Sequence, residues 1–193
     1  SDDRALAINI ARYLFSNLSG RREIAIVEGA AASATSRERH DGFHDALAAF
    51  PDIGVRLSLH GDYQRDVARR EFLKVAERLK DVDAVLCAND YMALGVLDAL
   101  AAEKSLGTPL VTGVNAIPEA IDAIEAGQML ATADFDPMAM CCVATEAAVR
   151  HLRGEMIPRE IILPVQIIDA GNVSKWNVPF EKRLCPSWQD VAR

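Results

Sequence analysis

The chain has 193 residues, half of them hydrophobic and a quarter charged, an ordinary globular composition with enough apolar material for a core of its own. Its formal net charge of −7 excludes the basic surface that a nucleic-acid backbone requires, so no nucleic-acid partner is expected. No apolar run approaches the ~20 residues of a membrane-spanning helix, and the start, SDDRALAINIARYLF, reads as an acidic, amphipathic segment rather than a leader.

Taken in chain order, the pattern alternates between two periods. Residues 3–19 carry apolar side chains at helical spacing (Ala5, Ile8, Ala11, Leu14, Leu18) behind an acidic N-terminus. Residues 23–29 (EIAIVEG) form a short apolar run closed by glycine, a buried strand. A helix is expected over 36–50, stopped by Pro51, then a strand over 53–62 and an amphipathic helix over 66–80. Strand 83–88 leads into helix 91–103, strand 109–114 into helix 118–127, and strand 129–134 into a long helix over 137–154 with Pro137 in its first turn and Gly154 after its end. Residues 160–169 form a last extended run broken by Pro164. The tail from Gly171 onward has no clear period and is read as irregular, with room for one short terminal helix. Strands alternating with helices of this length specify βαβ units, an α/β class and a parallel sheet.

Open parallel sheets bind ligands beyond the carboxyl ends of their strands. At those ends stand Glu28, then His60 and Asp62, Asn89 and Asp90, Asn115, and Asp134 with Phe135 and Asp136. Such residues also serve as helix caps, and topology alone leaves cap and ligand contact open for each. Other chemistry is sparse. His40 and His44 stand four residues apart, a spacing that can hold zinc, but without the companion acid of H-E-x-x-H they read as surface histidines, and no metal site is expected. GAAASATS is neither a dinucleotide fingerprint nor a phosphate loop. The four cysteines lack C-x-x-C or zinc spacing, and no disulfide framework is expected; Cys87 reads as a small buried hydrophobe. An α/β enzyme using His60, Asp62 and Asp90 is a rival reading, opposed by the lack of an ordered nucleophile, base and orienter.

Four segments, SRERHDGFHDAL, VDAVLCANDYMALGVLDAL, TGVNAIPEAIDAIEAGQMLAT and AVRHLRGEMIPREI, occur in order at spacings that resemble the type I periplasmic sugar-binding proteins of bacterial ABC transporters, of the ribose and galactose kind. The same fold serves as the effector domain of lactose-repressor-family regulators, the alternative function. The resemblance implies a doubly wound parallel sheet belonging to one lobe of a two-lobed protein that closes on a sugar or polyol, without catalysis or cofactor. A membrane permease partner and a periplasmic location go with it. On that pattern residues 1–134 are the C-terminal lobe, 135–163 return towards an N-terminal lobe mostly missing from the chain, and 164–193 are a crossover strand and tail. The ligand set it implies is Arg39, Asn89, Asn115 and Phe135, with Asp90 as the helix cap beside Asn89. Asn115 stands where the ribose kind commonly has aspartate, and Phe135 where it commonly has glutamine, so the identity of the sugar stays open. Helix 137–153 would expose Met138, Cys141, Cys142, Ala144, Ala148, Val149 and Leu152, which favours self-association through that helix.

Overall fold

The computed structural model describes residues 2–179 and 182–192. Helix α1 (Asp3–Ser16) begins where the Asp2 carboxylate accepts the Ala5 N–H, and it buries the stripe Leu6, Ala7, Ile10, Leu14 and Phe15. Strand β1 (Arg22–Glu28) follows, buried from Ile24 to Val27, then α2 (Ala34–Leu47) and β2 (Ile53–His60). The next helix is expected to be continuous but breaks at Val75, where an i→i−3 bond to Phe72 tightens the last turn; α3 (Arg65–Lys74) and the single turn α4 (Ala76–Leu79) result. Strand β3 (Ala84–Cys87), α5 (Asp90–Ala102), β4 (Leu110–Val114), α6 (Pro118–Glu125) and β5 (Ala131–Asp134) complete the alternation.

The sheet order is β2-β1-β3-β4-β5-β6, with β6 spanning Gln166–Asp169. The first five strands are parallel; β6 runs antiparallel to β5, so the sheet is mixed at one edge rather than parallel throughout. The reason lies in the connection: β5 and β6 are joined by a long excursion that includes helix α7 (Pro137–Leu152) and brings the chain back in the opposite sense. Of the expected extended run 160–169, only the four residues after Pro164 and Val165 pair, a proline having no N–H to give a ladder. Right-handed crossovers place α1 and α2 together on one face and α3, α5 and α6 on the other, as their mutual packing bears out. The order reverses between β1 and β3, which makes the carboxyl ends of those two strands a topological switch point.

Helix α7 stands apart from this core. Ala139 and Val143 form a small apolar cluster with Leu163, flanked by Met140, Ile161, Trp188 and Val191, the last two from the terminal turn α8 (Trp188–Val191). Cys142 and Cys185 are joined by a disulfide, which corrects the expectation of no disulfide framework: the tail folds back over α7 and sets residues 43 apart in sequence side by side. The exposed stripe expected on this helix is therefore partly covered. Val143 lies under the tail, whereas Cys141, Ala144, Ala148, Val149 and Leu152 remain exposed.

Candidate functional site

The four residues expected to carry a ligand lie at or beside the carboxyl ends of the central strands. Arg39, on the buried face of α2, is 5% exposed. Its Nε and Nη2 bond Asp3 Oδ1 at 2.9 and 2.8 Å, and Nη1 donates to the Ala88 carbonyl at the end of β3. A guanidinium can present such a fork in one plane. The side chain thus ties the first turn of α1 to the residue preceding Asn89.

Asn89 is also almost wholly buried. Its Oδ1 accepts the Met92 N–H at 2.9 Å, capping α5, and its Nδ2 donates to the Tyr63 carbonyl at 3.3 Å. The expected division between Asn89 and Asp90 is thereby corrected: Asn89 caps its own helix. Asp90, fully buried, turns away to accept Thr132 Oγ1–H at 2.6 Å and the Ile117 N–H at 3.0 Å. A carboxylate at the first helical position can still gain from the helix dipole, but burial outweighs its hydrogen bonds and pushes the Asp90 carboxyl up to about 7.

Asn115 follows β4 in a turn where two consecutive non-glycine residues have positive φ, 117° at Asn115 and 53° at Ala116. Its N–H donates to the Ala133 carbonyl, and its Oδ1 is buried without a hydrogen-bond partner. A buried acceptor left unpaired costs ~1–3 kcal/mol, so it marks a place where a donor fits. Phe135 is half-buried at the end of β5 against the main core. Beside it Asp134 accepts Trp176 Nε1–H at 2.9 Å and the Asp136 N–H at 2.8 Å, and burial raises its carboxyl above the usual range.

Sequence reasoning missed Tyr63. It sits in the left-handed region (φ 62°) in the turn that follows β2, and its carbonyl holds Asn89. Its hydroxyl is buried and unpartnered, and its ring lies so close to Gly29 that a Cβ there would fall 2.1 Å from Cζ. The available signal was a lone aromatic among the polar residues that follow a strand. His60 and Asp62 are both exposed, and among the described residues no hydrogen bond links either to Asp90. The His40 and His44 rings lie with their centroids 4.3 Å apart and their planes tilted by 50°, with His40 Nδ1 3.3 Å from Glu28. Among the described residues no group of three His, Cys, Asp or Glu side chains is placed to hold a metal ion. A surface groove of about 660 Å³, lined by Leu100, Leu110, Ile124 and Leu130 among others, opens at the amino ends of β4 and β5, away from this edge.

A family model described as periplasmic binding protein domain matches residues 1–156. The chain belongs to that family. It is 31% identical over 172 residues to the D-allose-binding periplasmic protein of Escherichia coli, covering 88% of this chain and 55% of that protein. Among solved structures, the myo-inositol-binding protein of Caulobacter superposes with a TM-score of 0.81 at 28% identity, over 91% of this chain and 60% of that one. A solute-binding protein from Actinobacillus succinogenes with bound D-allose gives a TM-score of 0.85 at 24% identity, over 90% and 61%, a likeness of fold. The chain spans about half the length of the curated relatives it matches. The sheet of mostly parallel strands with its flanking helices matches the fold of these proteins.

Proposed function

We propose that this chain is one wall of a sugar-binding cleft and takes part in capturing a small sugar or polyol for import by an ABC transporter. The observation that carries the reading is the Asn115 Oδ1, buried and unpartnered at the carboxyl end of β4, with Arg39 and Asn89 linked through Ala88 at the end of β3. Similarity to proteins named for allose, ribose and xylitol supports the ligand class.

The work asked of the site is recognition without bond-making. Amide and guanidinium groups pair with hydroxyls, and an aromatic face such as Phe135 covers the C–H side of a ring. An epimer that leaves one buried partner unpaired loses ~1–3 kcal/mol, enough for selectivity without any reaction. On this reading residues 1–134 are one lobe, 135–163 lead towards a second lobe, and 164–193 are a crossover strand and tail. The location is periplasmic, the macromolecular partner is a membrane permease, and α7 supplies a face for self-association.

The test is an NMR titration of the chain with D-allose, D-ribose, xylitol and myo-inositol at millimolar concentration, reading the side-chain amides of Asn89 and Asn115. Saturable shifts at both with at least one of these, weakened in Asn115→Ala, are expected. No saturable shift with any of the four rejects the reading.

A further inference from the structure

Asp90 is a fully buried carboxyl group that the proposed contacts do not use. Its two oxygens reach a strand and a loop outside its own helix. Oδ1 accepts the Thr132 hydroxyl at 2.6 Å, and Thr132 Oγ1 in turn accepts the Ala116 N–H at 3.3 Å. Oδ2 accepts the Ile117 N–H at 3.0 Å. Both amides that follow Asn115 are therefore held, one directly and one through a hydroxyl whose single proton is committed to Asp90.

The loop so held needs holding. Asn115 and Ala116 both sit at positive φ, a conformation that a side chain with a Cβ adopts only when its surroundings impose it. Gly113 shows that β4 is shaped around the carboxylate: a Cβ there would lie 2.3 Å from Asp90 Oδ1. The group facing Asp90 with charge of its own is Asp134 on β5, and the Cys87 thiol on β3 is near enough to feel the carboxylate. Neither offers Asp90 a countercharge, so its partners are the neutral donors of Thr132 and the loop.

Resting on the sugar-capture reading of this edge, we infer that Asp90 and Thr132 are positioning residues that fix the Asn115–Ile117 loop and thereby aim the unpartnered Asn115 Oδ1 at the ligand. Asp90 touches no ligand. It converts a strained turn into a preset acceptor, so the ordering is complete before binding. Selectivity at this position then depends on a carboxylate wholly screened from the cleft.

The experiment separates this inference from the function on which it rests. Amide hydrogen exchange is measured on the chain and on Asp90→Ala, Asp90→Asn and Thr132→Val. In Asp90→Ala the Ala116 and Ile117 amides should exchange at least about tenfold faster, while Ile26 and Val27 in β1 hold their protection. The Asn115 side-chain amide signals should move with them. Asp90→Asn keeps an acceptor for Ile117 and a donor for Thr132, so it should restore most of the protection. Thr132→Val should release Ala116 more than Ile117, and with Asp90→Asn it carries the test if Asp90→Ala does not fold. Unchanged loop amides, or loop and β1 amides loosened together, overturn the inference. With D-allose as probe, the saturable shift at Asn115 should need about tenfold more sugar in Asp90→Ala. Equal titration of the variant and the parent chain also overturns it. A parent chain that responds to no sugar rejects the capture reading, and the aiming role falls with it even if the exchange arms show Asp90 holding the loop.

Discussion

Cutting the Cys142–Cys185 bridge is the sharpest probe of how the tail is held. The cluster it supports buries few large side chains: Leu163 and Val143 with Ala139, flanked by half-buried Trp188 and Val191. Full burial of an aliphatic side chain is worth ~1.5–3 kcal/mol, whereas ordering each residue of the tail costs on the order of 1–2 kcal/mol. Ordering even a handful of tail residues costs more than this burial returns, so the covalent link decides whether the tail stays. Closing a loop between cysteines 43 residues apart restricts the unfolded chain by about 4 kcal/mol on the chain-entropy model. Cys185→Ser should therefore lower the stability found by urea titration by up to about that amount. Exchange over 182–192 and α7 should rise before the main sheet loosens, because Phe15, Phe72 and the β1 and β3 side chains lie in a separate core. Intact-mass analysis of the parent chain after alkylation under denaturing conditions should count two free thiols, Cys87 and Cys141. Four free thiols, or a variant with unchanged midpoint and unchanged exchange over the tail, would refute the reasoning.

Three further outcomes follow from the site. Asp90 holds its proton up to about 7 in the folded chain, against ~3.9 in an unfolded one. The native state therefore binds more protons across that window, and stability should fall as pH rises from 4 to 7, by at most about 1.4 kcal/mol per unit from this group. Denaturant titrations at several pH values, compared with Asp90→Asn, should show the slope and its loss. Asn89→Ala removes the α5 cap and the Tyr63 carbonyl's donor and should cost ~1–2 kcal/mol in thermal unfolding. Gly113→Ala forces a methyl against Asp90 Oδ1 and Met129 Cε and should destabilise by ~1–3 kcal/mol; a neutral result would mean that β4 shifts freely.

The elements were legible because period carries them. Buried β1 and β3 read as unbroken apolar runs, and α1 as a 3.6-residue stripe, so each appears within a few residues of its expected span. The cap was expected at Asp90 rather than Asn89 because the deciding contacts are distant: Thr132 is 42 residues beyond Asp90, and no local pattern announces a carboxylate that serves another strand. The disulfide was illegible for the same reason. Cys142 sits among residues read simply as helix, and its pairing depends on a tail with no period to predict its path. Arg39 was singled out only through resemblance; its neighbours in sequence are as charged as it is, and nothing local says that it alone among them is buried.

The antiparallel β6 bears on the order in which the molecule can assemble. Its Ile168 fills the core beside β5, and Asp169 accepts the Tyr13 hydroxyl across 156 residues of sequence at 2.6 Å. A chain emerging from the ribosome can pair β1 with β2 and β3 early, yet β5 keeps a bare edge until residues 166–169 arrive. Such late, sequence-distant closure slows folding and leaves an open strand available to other chains in the interval. The Tyr13–Asp169 bond joins helix α1 to strand β6, so closing this sheet edge also secures that helix.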